Sequence, residues 1–353
     1  MTLRLTDRHA ADLRLAAKVA VAAGSAFVLA TLLNLPQGYW SVISALIVVQ
    51  GSVGGTLAAA QERAVGTLVG AAVGGVAAFL HPHSLVTTSV TLTVVVAALA
   101  FAAAGRPMLK LAPVTAAILL VATANQPDQL AVAVERVLEV TLGCVVGVVV
   151  TLAVFPNRLD RDIAREARLI VADLARLLRG APDRRRDPDS AHLLLGQQDA
   201  IRRKLAVFEK SVADARRAPG GRATAEARSA LARTLWRVRN DSVAVERALA
   251  AAPDAARRIV GPSAADLLLT AADLLDALAA GDDPGPAREQ LALKRAALDD
   301  AVAHIRDGES AVGIDVGDAV PTLGLVFALR NLSGNLSDLA DRLGEARDVA
   351  SGD

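Results

Sequence analysis

The sequence predicts an all-α integral membrane protein: six transmembrane helices in two inverted three-helix repeats, followed by a cytoplasmic α-helical bundle. Three observations lead there. First, charge is divided unevenly along the 353 residues. Residues 1–156 hold eight Lys/Arg and six Asp/Glu, and the other thirty basic and thirty-one acidic residues follow. Second, no charged residue lies between Lys18 and Glu62, or between Arg63 and Arg106. Each gap has room for two membrane crossings of roughly 17–25 residues. Third, one phrase is written twice. Glu62-Arg63 precedes Gly66, Gly70 and Gly74, and Glu135-Arg136 precedes Glu139, Gly143 and Gly147. In both copies small residues recur every four positions, the spacing of one helical face.

The expected domains are 1–156 in the membrane and 157–353 in the cytoplasm, with the boundary at Phe155-Pro156-Asn157, where proline ends the last apolar run. Six spans are expected. The first covers 12–35 and the second 39–53, joined by the turn Leu35-Pro36-Gln37-Gly38. The third covers 64–80 and ends at His81-Pro82-His83. The fourth covers 85–104 and the fifth 109–124, with Pro113 in the first turns of the fifth. Asn125-Gln126-Pro127-Asp128 then leads into the sixth, 130–155. The charged start precedes an apolar stretch too long for a signal-peptide core, so the first span itself is expected to direct insertion.

Arg4, Arg8, Arg14 and Lys18 at the start, Arg63, Arg106 with Lys110, and Arg158 to Arg168 after the sixth span place both termini in the cytoplasm by the positive-inside rule. Three spans per unit is odd, so the units are inserted upside down relative to each other. Beyond residue 157, apolar residues fall at helical spacing over 158–179, 189–217, 223–251, 263–279, 286–307 and 319–347, separated by proline and glycine breakers.

Some function classes are excluded at this stage. A net charge of +1 argues against nucleic acid as a partner. The one cysteine, Cys144, forms no intrachain disulfide and no zinc motif. His81 and His83 lack a third ligand, so no metal is assigned. No phosphate loop, G-x-S-x-G or H-E-x-x-H is present, so neither an enzyme nor a cofactor is expected.

Several phrases together resemble the fusaric acid resistance and aromatic acid exporter superfamily. They are Gly38-Tyr39-Trp40, Arg63-x2-Gly66-Thr67-x2-Gly70, Arg136-x2-Glu139-x3-Gly143, the Phe155-Pro156 exit and the late run Phe327-Ala-Leu-x-Asn-Leu-x2-Asn-Leu-x-Asp-Leu. The plan is similar to that of the plant aluminium-activated malate transporters. Full-length exporters carry the membrane unit and tail twice and this chain carries each once, so the resemblance implies a homodimer. It also implies outward transport of aromatic or other organic acids across the bacterial inner membrane, often with a periplasmic adaptor.

The residues themselves suggest a pathway. Arg63 and Arg136 offer planar forks suited to a carboxylate. A guanidinium inside a bilayer costs at least roughly 2.5–3.5 kcal/mol unless paired or hydrated. Each therefore either faces a pathway or pairs with a neighbouring acid. Glu135 and Glu139 share a helix face, and Glu139 stands three residues from Arg136. A carboxylate held in low dielectric takes up a proton more readily, which suits proton-coupled export; a plain ion pair with Arg136 is the alternative. Lys18 either snorkels to headgroups or lines an entrance. Trp40 belongs to an interfacial belt or stacks an aromatic substrate. Gln50 and Asn125 either cap helix ends or solvate a pathway. Gly66, Gly70, Gly74, Gly143 and Gly147 serve helix packing, with the third and sixth spans crossing at the pseudo-twofold axis.

The function expected is proton-coupled export of organic, foremost aromatic, carboxylates. A passive anion channel and a membrane-anchored scaffold for a protein partner are the alternatives.

Overall fold

The computed structural model describes residues 2–80, 84–122, 129–154, 159–182, 190–218, 221, 224–306 and 316–351. Asn125, the His81–His83 turn, the Arg184–Arg186 run and the Phe155-Pro156 exit lie outside them. Among the described residues all regular structure is helical. The chain divides into two compact units, the first made of Met1–Asn157 with Arg217–Pro219 and the second of Arg158–Arg216 with Gly220–Asp353.

The first unit contains α1 (Thr2–Leu32), α2 (Tyr39–Val48), α3 (Val53–Leu80), α4 (Leu85–Ala103), a 3-10 turn (Pro107–Leu109), α5 (Ala112–Ala122) and α6 (Gln129–Ala153). Four of these have segments long and apolar enough to cross a membrane: Asp12–Leu32, Val53–Leu80, Leu85–Ala103 and Leu130–Ala153. Their outward faces are apolar. On α4, Leu85 is 86% and Phe101 85% exposed, and Leu99 alone is buried among its described residues. Apolar exposure on this scale belongs in lipid rather than water.

Two differences from expectation bear on the site. First, the segment expected to span 39–53 is helical only to Val48, and the fifth expected span, 109–124, is α-helical over Ala112–Ala122, with 123 and 124 outside the described residues. At about 1.5 Å per residue, each covers roughly half of a ~30 Å hydrocarbon core. The cause at α2 is local. Val49 turns extended with ψ 116°, and Gly51-Ser52 reverses into α3, whose first turn is capped by Gly55 N–H donating to Ser52 Oγ at 3.0 Å. The second difference is the start of α3, at Val53 rather than 64. Glu62-Arg63, taken as a loop marker because lipid excludes charge, lies inside this helix. Arg63 is buried against protein, so it never meets the lipid.

The packing of the first unit repeats with a swap. α1 packs on α2 as α4 packs on α5, and α1 meets α6 as α4 meets α3. The glycine faces do not meet each other, although α3 and α6 do touch. Gly70 faces the Ala112 carbonyl and Thr115 of α5, where an added Cβ would stand 2.4 and 2.7 Å away. Gly143 faces the Ser41 carbonyl and Ser44 of α2 at 2.2 and 2.7 Å. Gly66 and Gly74 extend the first seam along Leu111, Ala112 and Ala116, and Gly147 extends the second along Val48. The long third helix of each repeat thus lies backbone to backbone on the short second helix of the other.

The second unit contains α7 (Leu159–Arg179), α8 (Ser190–Arg217), α9 (Ala225–Ala251), α10 (Asp254–Ile259), α11 (Gly261–Ala280), α12 (Gly285–Arg306) and α13 (Val316–Ser351). One apolar core runs through it, including Ile170, Leu174, Phe208, Leu235, Leu268 and Leu329. Charged pairs lace the helices together. Arg179 meets Asp273 and Asp276, Arg288 meets Asp341, and Arg330 meets Asp299, all at 2.7 Å. Between α9 and α13, Asn335 donates to Asp241 at 2.6 Å. Burial still pushes the Asp241 carboxyl above the usual carboxylate range, against the opposing pull of that hydrogen bond.

A buried polar chain between α2, α3 and α6

The sequence places four ionisable side chains at the helix contacts of the first unit, and the structure buries all four. Lys18 is 3% exposed, Arg63 7%, Arg136 4% and Glu139 1%. None forms an ion pair within 4 Å with a described residue. Lys18 stands one turn before Ala22 and Ala26, on the face of α1 that packs on α2 and α6, so its ammonium does not lie on the outer face of the helix.

A chain of contacts links the other three. Arg63 Nε donates to Ser44 Oγ at 3.4 Å. One turn back on α2, Ser41 Oγ donates to the Glu139 carbonyl at 2.8 Å. The Glu139 carboxylate accepts the backbone N–H of Gln37 at 2.7 Å, a charge-assisted bond that ties the α1–α2 turn to α6. Gln37 Oε1 then accepts from Trp40 Nε1 and from the Tyr39 hydroxyl, both at 3.2 Å. Finally, the Arg136 guanidinium lies over the Trp40 ring, 3.2 Å from its centroid. Arg136 is also within Coulombic reach of both Glu139 and Arg63.

An ion pair between Arg136 and Glu139 across one helical turn was one of the two readings the spacing allowed. The structure gives each a partner on another element instead: Arg136 turns to the Trp40 face and Glu139 to the Gln37 amide. A cation over indole recovers about 2 kcal/mol when desolvated, close to the ~2.5–3.5 kcal/mol cost of burying the guanidinium. The balance is incomplete, because Arg136 Nη2 is buried and meets no described partner. Thr67, one turn beyond Arg63 on α3, likewise keeps a buried hydroxyl without a described partner.

Beside Arg136 a small crevice is lined by Gln37, Leu119, Val132, Glu135, Arg136 and Glu139 among others. At about 10 Å³ it is at the lower limit of what a single water needs. Glu135 is half-buried on this lining, while Trp40 meets the cluster from α2. Gln50 is not part of the arrangement: it is exposed, and its Nε2 caps the end of α2 by donating to the Ile47 carbonyl at 3.0 Å.

Reading the sequence missed Gln37, Ser41 and Ser44. A signal for the serines was present. They are the only polar side chains besides Tyr39 and Trp40 in an otherwise apolar ten-residue helix, and they stand three apart on one face. Gln37 was hidden in a turn whose conformation explained it fully.

Residues 25–150 match the family model described as fusaric acid resistance protein-like. The match runs from within α1 to within α6 and contains every member of the buried chain. No curated protein matches the sequence. Both arginine–glycine phrases that carry the resemblance lie within the matched residues.

Proposed function

We propose, for a chain whose residues 25–150 are of the fusaric acid resistance type, that the protein exports organic carboxylate anions, aromatic ones foremost, across a bacterial inner membrane in exchange for protons. In this reading all six helices of the first unit cross, the short α2 and α5 being completed by their flanking residues. Both termini and the second unit are cytoplasmic, and two copies assemble into the working transporter. A periplasmic adaptor is an optional partner.

The observation that carries the reading is Arg136, buried face-on to Trp40 with one nitrogen unsatisfied. An aromatic carboxylate offers both things the pair lacks or shares. Its carboxylate fits the guanidinium fork, and its ring competes for the indole face. Glu139, next along α6, whose carboxylate accepts from the Gln37 N–H while its backbone carbonyl accepts from Ser41 Oγ, is the proton carrier. Protonation of Glu139 removes the negative charge nearest Arg136 and raises the attraction for a substrate anion; its release reverses this.

The water-sized crevice favours a gated carrier over an open pore. Passage of one ring requires α5, which supplies Ile118, Leu119 and Ala122, to part from α6.

The test is flux in proteoliposomes holding labelled 4-hydroxybenzoate on the side of the second unit. An imposed proton gradient should accelerate release from wild-type vesicles. Glu139→Gln should keep downhill flux while losing the response to the gradient. Gradient-driven export at full rate in Glu139→Gln would overturn the proton role. Flux indifferent to the gradient in the wild type would mark a passive channel, and no flux at all a scaffold.

A further inference from the structure

The second unit carries an open pocket of about 200 Å³ between α7, α9, α13 and the turn after α11. Its walls are largely apolar, with Ile163, Leu231, Leu278 and Leu343 among them. Two guanidinium groups converge on its rim at one residue, Gly281. That glycine closes α11 in the left-handed conformation, φ +84°. The Arg168 guanidinium lies against it, so that a Cβ there would stand 3.1 Å from Arg168 Nη2. From the other side, Arg347 Nη1 donates to the Gly281 carbonyl at 3.2 Å.

These two cations are treated differently from others in the unit. Arg179, Arg288 and Arg330 each meet a carboxylate on a neighbouring helix. Arg168 and Arg347 form no ion pair with a described residue, although Asp282 stands next to Gly281 on the same lining. Arg228, buried and already engaged within the protein, adds positive charge to the wall. Thr224 lines the cavity as well. It is 9% exposed, and its hydroxyl meets no described partner. A largely apolar pocket, two guanidinium groups without an ion pair among the described residues and an unsatisfied hydroxyl in one place suit an amphipathic anion.

We infer that this cavity binds a small carboxylate with an apolar body of one ring or a short branched chain. Its head sits in the fork between Arg168 and Arg347, and its body against Leu231, Leu278 and Leu343. The volume falls below the ~300 Å³ at which pockets for drug-sized ligands begin, which excludes a nucleotide. Free phosphate would leave the apolar walls uncovered. All the residues belong to the second unit, so the inference stands apart from the role of Arg136.

The test is calorimetry on the full-length protein in nanodiscs, with 4-hydroxybenzoate as probe and 4-hydroxybenzamide as its neutral counterpart. Binding should persist in Arg136→Gln, which separates this site from the membrane cluster. In that background, Arg168→Gln with Arg347→Gln should weaken it at least tenfold. Gly344→Leu is a second, independent variant. Gly344 lines the cavity, a Cβ there meets nothing within 4 Å, and the larger residue favours the helix while filling the space. It should abolish binding with the helical content and melting temperature unchanged. The amide should bind at least tenfold more weakly than the acid. Absence of any binding in Arg136→Gln, an unchanged affinity in the double arginine variant, or equal binding of amide and acid would each overturn the inference.

Discussion

Arg136 shows how a cation is kept inside a protein core without an ion pair within 4 Å among the described residues. The indole of Trp40 supplies the opposing field, and the planar guanidinium is the one cationic shape that lies flat on it. Lysine has neither the plane nor the fork. Arg136→Lys should therefore insert normally yet lose at least tenfold in transport rate, whereas Trp40→Phe, which keeps an aromatic face, should retain more activity than Trp40→Leu. Initial rates of labelled-acid export at matched expression measure both; equal rates for all three variants would remove the pair from the pathway. In the sequence, Arg136 and Glu139 stood out because a charge in an apolar run demands a reason. Their partners did not. Trp40 and Gln37 lie about a hundred positions earlier, and no periodicity links residues that meet only through a helix crossing. Asp241, in the second unit, was equally silent: its burial comes from packing between α9 and α13, which a Leu/Ala-rich pattern does not encode.

At the scale of elements, the glycines were legible as a packing face but not as to what they pack on. Small residues at every fourth position say that a backbone approaches closely; they do not say whose. The partner proved to be the short helix of the opposite repeat, at distances that leave no space for a methyl group. Gly70→Ala and Gly143→Ala should each destabilise the membrane unit by ~1–3 kcal/mol or more, since the obstacle is a carbonyl oxygen rather than a flexible side chain. Gly24→Ala, with open space around it, is the control and should behave as wild type. Thermal unfolding in detergent, read by size-exclusion chromatography, distinguishes them; indifference at Gly70 and Gly143 would show that the seams are looser than drawn. The two short helices escaped the sequence for a related reason. Residues 39–53 carry no charge and 109–124 only Lys110 near the start, and hydropathy cannot tell a helix from an apolar segment that turns extended at Val49.

For the whole molecule, the uneven spread of charge pointed to a first part rich in long apolar helices, because ions are costly in hydrocarbon, and the four helices long and apolar enough to cross a membrane all lie there. The number of crossings was not, since α2 and α5 fall short of a bilayer's thickness. Single cysteines introduced into a Cys144→Ala background decide it. With six crossings, Leu33→Cys and Leu85→Cys react with an impermeant maleimide from the periplasmic side, and Arg106→Cys only after permeabilisation. If α2 and α5 fail to cross, Leu33 and Leu85 label from opposite sides.

The exchanged seams divide the first unit into two couples, α3 with α5 and α6 with α2, each closed along a line of backbone atoms. Trp40, Arg136 and Glu139 belong to one couple. Arg63 belongs to the other and reaches the first through the long hydrogen bond to Ser44. The couples also pack on each other through α3 and α6, so any motion that parts them must open an apolar interface together with that longest polar link in the buried chain.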